Sequence, residues 1–201
     1  MAWYDITGTV SDWIMAGVAV YAAANANQWF SQRSHTKGFD KAEELLANID
    51  EQYGKLKNYT CQLHGVLEYL NAVNDKITYV DANKSHEFEL LILTHKFDIQ
   101  KIDDLNENLE MLERWSLQII NKELMQGIIK KLRDTSVSAY NASSLAKGCM
   151  YNAECIGMDE FRETLTYFKA HYEEYLKDLA ESEQKYLNFK KSKFVDLFQV
   201  K

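Results

Sequence analysis

The chain contains no proline in 201 residues. At ordinary usage of about 5%, roughly ten would be present. Proline lacks an N–H and clashes with the preceding helical turn, so long uninterrupted helices exclude it. Only 8 glycines point the same way. The fold class expected is all-α: long antiparallel helices in a coiled-coil-like bundle, preceded by an apolar N-terminal helix read as a single-pass membrane anchor.

Trp13 to Gln32 holds no charged residue, with Asp12 before it and Arg33, Lys37 and Lys41 after it. As a helix, Trp13 to Trp29 spans about 24 Å, slightly short of a hydrocarbon core of about 30 Å. Trp13 at one end and Trp29 and Phe30 at the other resemble the aromatic belts of a spanning helix, with Ile14, Val18, Val20 and Tyr21 as its apolar body. Asn25, Asn27 and Gln28 weaken the span. Ala16, Ala19, Ala23 and Ala26 share one narrow face, a candidate surface for close helix–helix self-association. The competing readings are a helix buried in a soluble bundle or oligomer core, a helix lying in the membrane interface, and a cleaved signal peptide. The last has an acidic leader with no Lys or Arg. Under the spanning reading, the charges at Arg33, Lys37 and Lys41 put the N-terminus outside and residues 33–201 in the cytoplasm, at the inner (plasma) membrane. The alternative location is wholly cytoplasmic. The domains expected are 1–32 as the apolar segment, 33–38 as a basic linker and 39–201 as the bundle.

Beyond Phe39, apolar residues recur at steps of three and four: Phe39, Ala42, Leu46, Ile49, Tyr53, Leu56, Leu63, Leu67, Leu70 and Ile77, with polar Thr60 and Asn74 in the same seam. This heptad predicts one helix of about 60 Å. Asp81 to Ser85 reads as a turn. The stretches at 77–80 and 88–93 are read as helical, and the next pattern runs from Phe88 through Leu132, with a break or kink at His95–Asp98. Residues 134–158, rich in Ser, Asn and Gly, read as a short helix and a loop. Asp159 is the expected N-cap of a last helix whose seam includes Phe161, Leu165, Phe168, Tyr172, Tyr175 and Tyr186, and which reaches almost to residue 201. Three long helices of matched length imply a bundle with shallow crossing angles.

The net charge of −7 opposes nucleic-acid binding, which needs a basic face to displace counterions. Lys185, Lys190, Lys191, Lys193 and Lys201 make the C-terminal end locally basic, suited to a helix C-terminus or to anionic lipid. Cys61, Cys149 and Cys155 do not form a disulfide framework and fit a reducing compartment. Cys149 and Cys155 lack metal or redox spacing. No phosphate loop, nucleophile elbow or Glu-x-x-His di-metal motif is present. His64 and His171 read as partly buried packing residues, and His95 as a core group able to respond to pH. Asp98, Asp103, Asp104, Glu107, Glu110 and Glu113 read as a solvated helix face.

The expected protein is therefore not an enzyme and needs no cofactor or metal. It is a membrane-anchored adaptor, scaffold or sensor that binds a protein partner or itself as a homo-oligomer. The alternative is a membrane-active effector, toxin-like or of a defence type, whose N-terminal helix inserts on oligomerisation.

Overall fold

The structure is a computed structural model. It describes the backbone of residues 3–115 and 117–200, and the side chains of residues 15–26, 28, 36–81, 83–115 and 117–199. It is an all-α bundle. Helix α1 covers Trp3–Asn74, α2 Ala82–Met111, α3 Lys122–Tyr151 and α4 Met158–Phe189, with a short α5 at Phe194–Leu197. A 3₁₀ turn at Leu112–Trp115 and a π-helical turn at Asn152–Ile156 close the second and third helices. Two three-residue strands, β1 (Leu117–Ile119) and β2 (Phe198–Val200), pair antiparallel with Leu117 opposite Val200 and Ile119 opposite Phe198.

Helix α1 passes without interruption through the boundary expected at residues 32 and 33 and presents three ridges to the bundle. The central one, Ala42, Ile49, Leu56, Leu63 and Leu70, is buried, as the heptad predicts. On one flank lie Leu45, Gln52, Tyr59, Val66 and Val73, all buried, and this flank meets α2 through Tyr59 and His95. On the other lie Leu46, Tyr53, Thr60, Leu67 and Asn74, the ridge that the spacing favours. This flank meets α4: Tyr53 stacks on Tyr186 at 3.7 Å between ring centroids. Thr60 Oγ1 lies 3.2 Å from the Tyr175 hydroxyl. A helix serving two neighbours needs an apolar face wider than a two-helix seam.

Helix α3 packs against α1, α2 and α4. Its inner face carries Ser136, Ala139, Ala142, Ser143 and Ala146, all buried. Side chains this small let helix backbones approach closely, and the same residues make the stretch resemble a loop by composition. So the short helix and loop expected at 134–158 are one continuous helix to Tyr151 followed by a π turn.

Other expectations are also corrected. Helix α1 ends at Asn74 and residues 75–81 are loop, held to α1 by the Tyr69 hydroxyl, with Val80 packed on the core and Ile77 and Tyr79 left 78% and 93% exposed. Asp81 caps α2 by accepting from the Asn83 N–H. The helix expected through Leu132 is broken at 112–121, because Leu117 and Ile119 turn inward against Phe198 as strand residues. The last helix stops at Phe189 for the same reason: Leu197 and Phe198 are buried beside the ribbon. Four long helices result, not three. Asp159 lies in the first turn of α4, ion-paired with Arg162, and Gly157 occupies the cap position. No kink interrupts α2 at His95–Asp98.

The spanning anchor is the largest correction. Among the described residues, no helix is long and apolar enough to cross a membrane. The physical reason is the one already visible in the sequence: Asn25, Asn27 and Gln28 cut the apolar run before it reaches spanning length.

Gly38 marks where α1 meets the rest of the fold. A Cβ there would lie 2.7 Å from the Trp115 carbonyl oxygen, whereas one at Gly54 would meet nothing within 4 Å. Gly38→Ala is expected to lower stability by about 1–3 kcal/mol through overpacking against backbone. Gly54→Ala is expected to raise it by about 0.5–1 kcal/mol through helix propensity. Urea unfolding of both variants checks the opposite signs.

Candidate functional site

Two regions carry chemistry beyond ordinary packing: the arm of α1 N-terminal to the bundle, and a buried polar junction between α1, α2 and α3. In the arm, residues 15–26 and 28 are all exposed. Met15, Val18, Val20 and Tyr21 each keep more than 60% of their surface in water, and Ala16, Ala19, Ala23 and Ala26 are exposed beside them. The side chains of Trp13, Ile14, Trp29, Phe30 and Arg33 lie outside the described residues. At the arm's root, Lys37 Nζ sits 5.3 Å from the centroid of the Trp115 ring, and Lys41 pairs with Glu44 at 2.5 Å. Phe39 packs against Phe194, with ring centroids 5.5 Å apart. Aromatic contacts from both 112–115 and 194–197 thus fix where the arm leaves the bundle.

The junction was legible only in part. His95 is fully buried, as its place on the apolar side of α2 implies, but Asp98 is buried with it rather than solvated. The Tyr59 hydroxyl donates to Asp98 Oδ2. Lys55 Nζ donates to Asp98 Oδ1 at 2.8 Å and pairs with Glu51 at 2.9 Å. Burial pulls the Lys55 ammonium down, and its hydrogen bonds to Asp98 and Glu51 outweigh it, leaving the group above its usual value. Burial and the Asp98 carboxylate push the Tyr59 hydroxyl well up. The Tyr59 ring meets the His95 ring edge-on at 4.0 Å.

Ser143 Oγ donates to the Ala139 carbonyl, so at 3.0 Å it accepts from His95 Nδ1–H. This leaves His95 Nε2 as a buried acceptor without a partner. Burial holds the imidazole down at about 4, against the opposing pull of Asp98 and the Ala139 carbonyl. With no exposed surface, His95 meets no substrate. The junction locks the register of α2 on α1, because the cost of stranding any member in the interior is larger than the net worth of the bonds.

A second polar set joins α3 to α4. Lys131 Nζ donates to Asp178 Oδ1 at 2.8 Å and to Glu181 Oε2 at 2.9 Å, while Ser138 Oγ donates to Asp178 Oδ2 at 2.6 Å. Asp103, Asp104, Glu107, Glu110 and Glu113 are exposed, as expected for a solvated face. His64 is exposed and His171 half-buried, so His64 does not pack as the sequence suggests. Cys149 is buried, and Cys61 and Cys155 are exposed free thiols. Burial pushes the Cys149 thiol up to about 12, which makes it inert. Among the described residues, no cluster of three or more His, Cys, Asp or Glu side chains could hold a metal ion.

On either side of the Lys55–Asp98 bridge the α1–α2 seam opens. One groove of about 210 Å³ is lined by Asn48, Gln52, Asp104 and Asn108. Another, of about 410 Å³, is lined by Cys61, Val66, Phe88, Leu90 and Leu91. Beside the second, Leu90, Leu93 and Phe97 stay half exposed on the outer face of α2. No protein-family model, curated protein or solved structure matches the chain.

The His95 environment has a signed consequence. The unfolded imidazole takes up its proton near 6.5 and the folded one only near 4. Its contribution is therefore whole above 6.5 and is lost as the pH falls towards 4, by about 3 kcal/mol. His95→Gln is expected to flatten the stability profile over that window relative to the parent chain, measured by urea titrations at successive pH values. Asp98→Ala strands the buried Tyr59 hydroxyl, while Lys55 keeps Glu51, and is expected to lower stability by about 1–3 kcal/mol at neutral pH, read by thermal unfolding.

Proposed function

We infer that the chain is a non-enzymatic helical-bundle protein that works at a membrane surface as an adaptor, scaffold or sensor, through contacts with a protein partner and with other copies of itself. The observation that carries this reading is the arm, where Met15, Val18, Val20 and Tyr21 stand in water on a helix with no charged residue from Trp13 to Gln32. A helix without a polar face is ordinarily covered by protein or lipid. The alanines at 16, 19, 23 and 26 share one face and permit close approach of a second arm. Asn25, Asn27 and Gln28 interrupt the apolar run, which suits an arm sheltered among its copies at the membrane rather than crossing as a lone helix. The exposed apolar residues on the outer face of α2 offer the bundle a surface for a protein partner. Free cysteines support placing the bundle in the cytoplasm, at the plasma membrane.

A second reading is favoured by the arm's intermediate polarity. A segment that must tolerate both water and lipid cannot be strongly apolar, which suits a membrane-active effector whose arm inserts on oligomerisation.

Full-length protein is expected to partition with membranes and to self-associate in sedimentation equilibrium. A chain beginning at Phe39, and the full chain carrying Val18→Glu and Tyr21→Glu, should be soluble and monomeric. Parent protein that is itself soluble and monomeric would sink the reading. Dye release from vesicles by the parent, lost in both variants, would select the effector over the adaptor.

A further inference from the structure

The turn at residues 190–193 holds Lys190, Lys191 and Lys193, all exposed, in a chain whose net charge is −7. Among the described residues none of the three ammonium groups is paired with a carboxylate; Lys190 Nζ lies 5.9 Å from the Tyr186 ring centroid. The neighbouring acid, Asp196, is turned back to accept from the Lys193 backbone N–H at 2.8 Å. The turn is tied down on both sides. Tyr186 and Phe189 are buried before it, and Leu197 and Phe198 after it. The tie that matters is to Phe194, one residue beyond Lys193, whose ring packs on Phe39 at the root of the arm. Lys37, exposed, projects from the same root. Three unpaired lysines are thus held beside the point from which an uncharged apolar helix leaves the bundle.

We propose that this basic turn is a docking surface for anionic lipid headgroups, acting together with the arm. The proposal rests on the membrane reading above and deepens it by naming the lipid class. The arm alone is too polar to cross a bilayer, and a single modest apolar element gives marginal, reversible binding. Stable attachment takes a second signal, and a polybasic patch next to the apolar one supplies it. Each lysine near an anionic surface strengthens binding roughly 5-fold, so the three together contribute on the order of 100-fold. Asp40 and Glu43 on α1 are exposed near the root and oppose this attraction. Asp50, which accepts from the Tyr186 hydroxyl beside Lys190, and Glu113 beside Trp115 are exposed there too, so the contribution depends on the turn facing the headgroups ahead of these acids.

The test uses the full chain and sedimentation with vesicles of phosphatidylcholine alone or mixed with phosphatidylserine. The parent protein is expected to bind the mixed vesicles on the order of 100-fold more tightly, with the difference collapsing as salt is raised. Lys190→Gln, Lys191→Gln and Lys193→Gln together should abolish the preference. A control carrying Lys130→Gln, Lys169→Gln and Lys177→Gln changes the same charge at exposed positions elsewhere and should keep it. Circular dichroism melts check that both variants fold. Equal binding to the two vesicle types, or equal loss in the control, overturns the basic turn as a lipid site and leaves the arm reading standing. Binding to neither vesicle overturns both.

Discussion

The close approach of α3 to the other three long helices sets the geometry of the bundle. Ser136, Ala139, Ala142, Ser143 and Ala146 have little side chain to hold a neighbour away, so α1 can settle against α3 while touching α2 and α4 on its flanks. That position gives α1 two buried ridges and a third, half-buried one around Tyr53. The close packing of α2 on α3 also brings His95 within reach of Ser143, where one hydroxyl both donates to the Ala139 carbonyl and accepts from the imidazole N–H. Larger residues on α3 would separate these partners and strand each of them without water. The polar junction and the apolar core are consequences of the same small side chains.

The sequence was most informative where a single physical effect dominates. Freedom from proline and the heptad from Ala42 to Leu70 announce long helices, because helix continuity and periodic burial are local properties. It misled where tertiary neighbours decide. Alternation at Leu117 and Ile119 has meaning only when Phe198 arrives to pair with it, and the Ser- and Ala-rich face of α3 resembles a loop until α1 is laid on it. The second ridge of α1, with Gln52 and Tyr59, was passed over because its members are partly polar. Asp98 was assigned to the solvated face by its charge, although its position three residues after His95, on the same side of the helix, hinted at a shared burial. The arm's uncharged run was legible at once. What limits it is legible too, in Asn25, Asn27 and Gln28.

The two polar sets divide the work of specificity along the bundle. Lys131, Asp178 and Ser138 fix α4 on α3, while Lys55, Asp98 and Tyr59 fix α2 on α1. The α1–α2 seam is the less completely filled of the two, with open grooves on both sides of its ionic bridge. Local opening in such a structure begins where buried apolar contact is thinnest. By that measure α1 is the most loosely held long helix, since α2 packs more extensively on α3 than on α1.

The β1–β2 ribbon joins segments separated by roughly eighty residues, a long loop whose closure is entropically unfavourable and rewards the chain only late. The α3–α4 hairpin can form from neighbouring sequence while synthesis is still under way. The seat of Phe39 on Phe194 cannot, because its second half emerges from the ribosome about 155 residues after its first. Throughout that interval the apolar N-terminal helix exists without the root that orients it. A nascent chain of this design exposes its apolar segment well before it acquires the means to aim it, and during that interval the segment is open to aggregation.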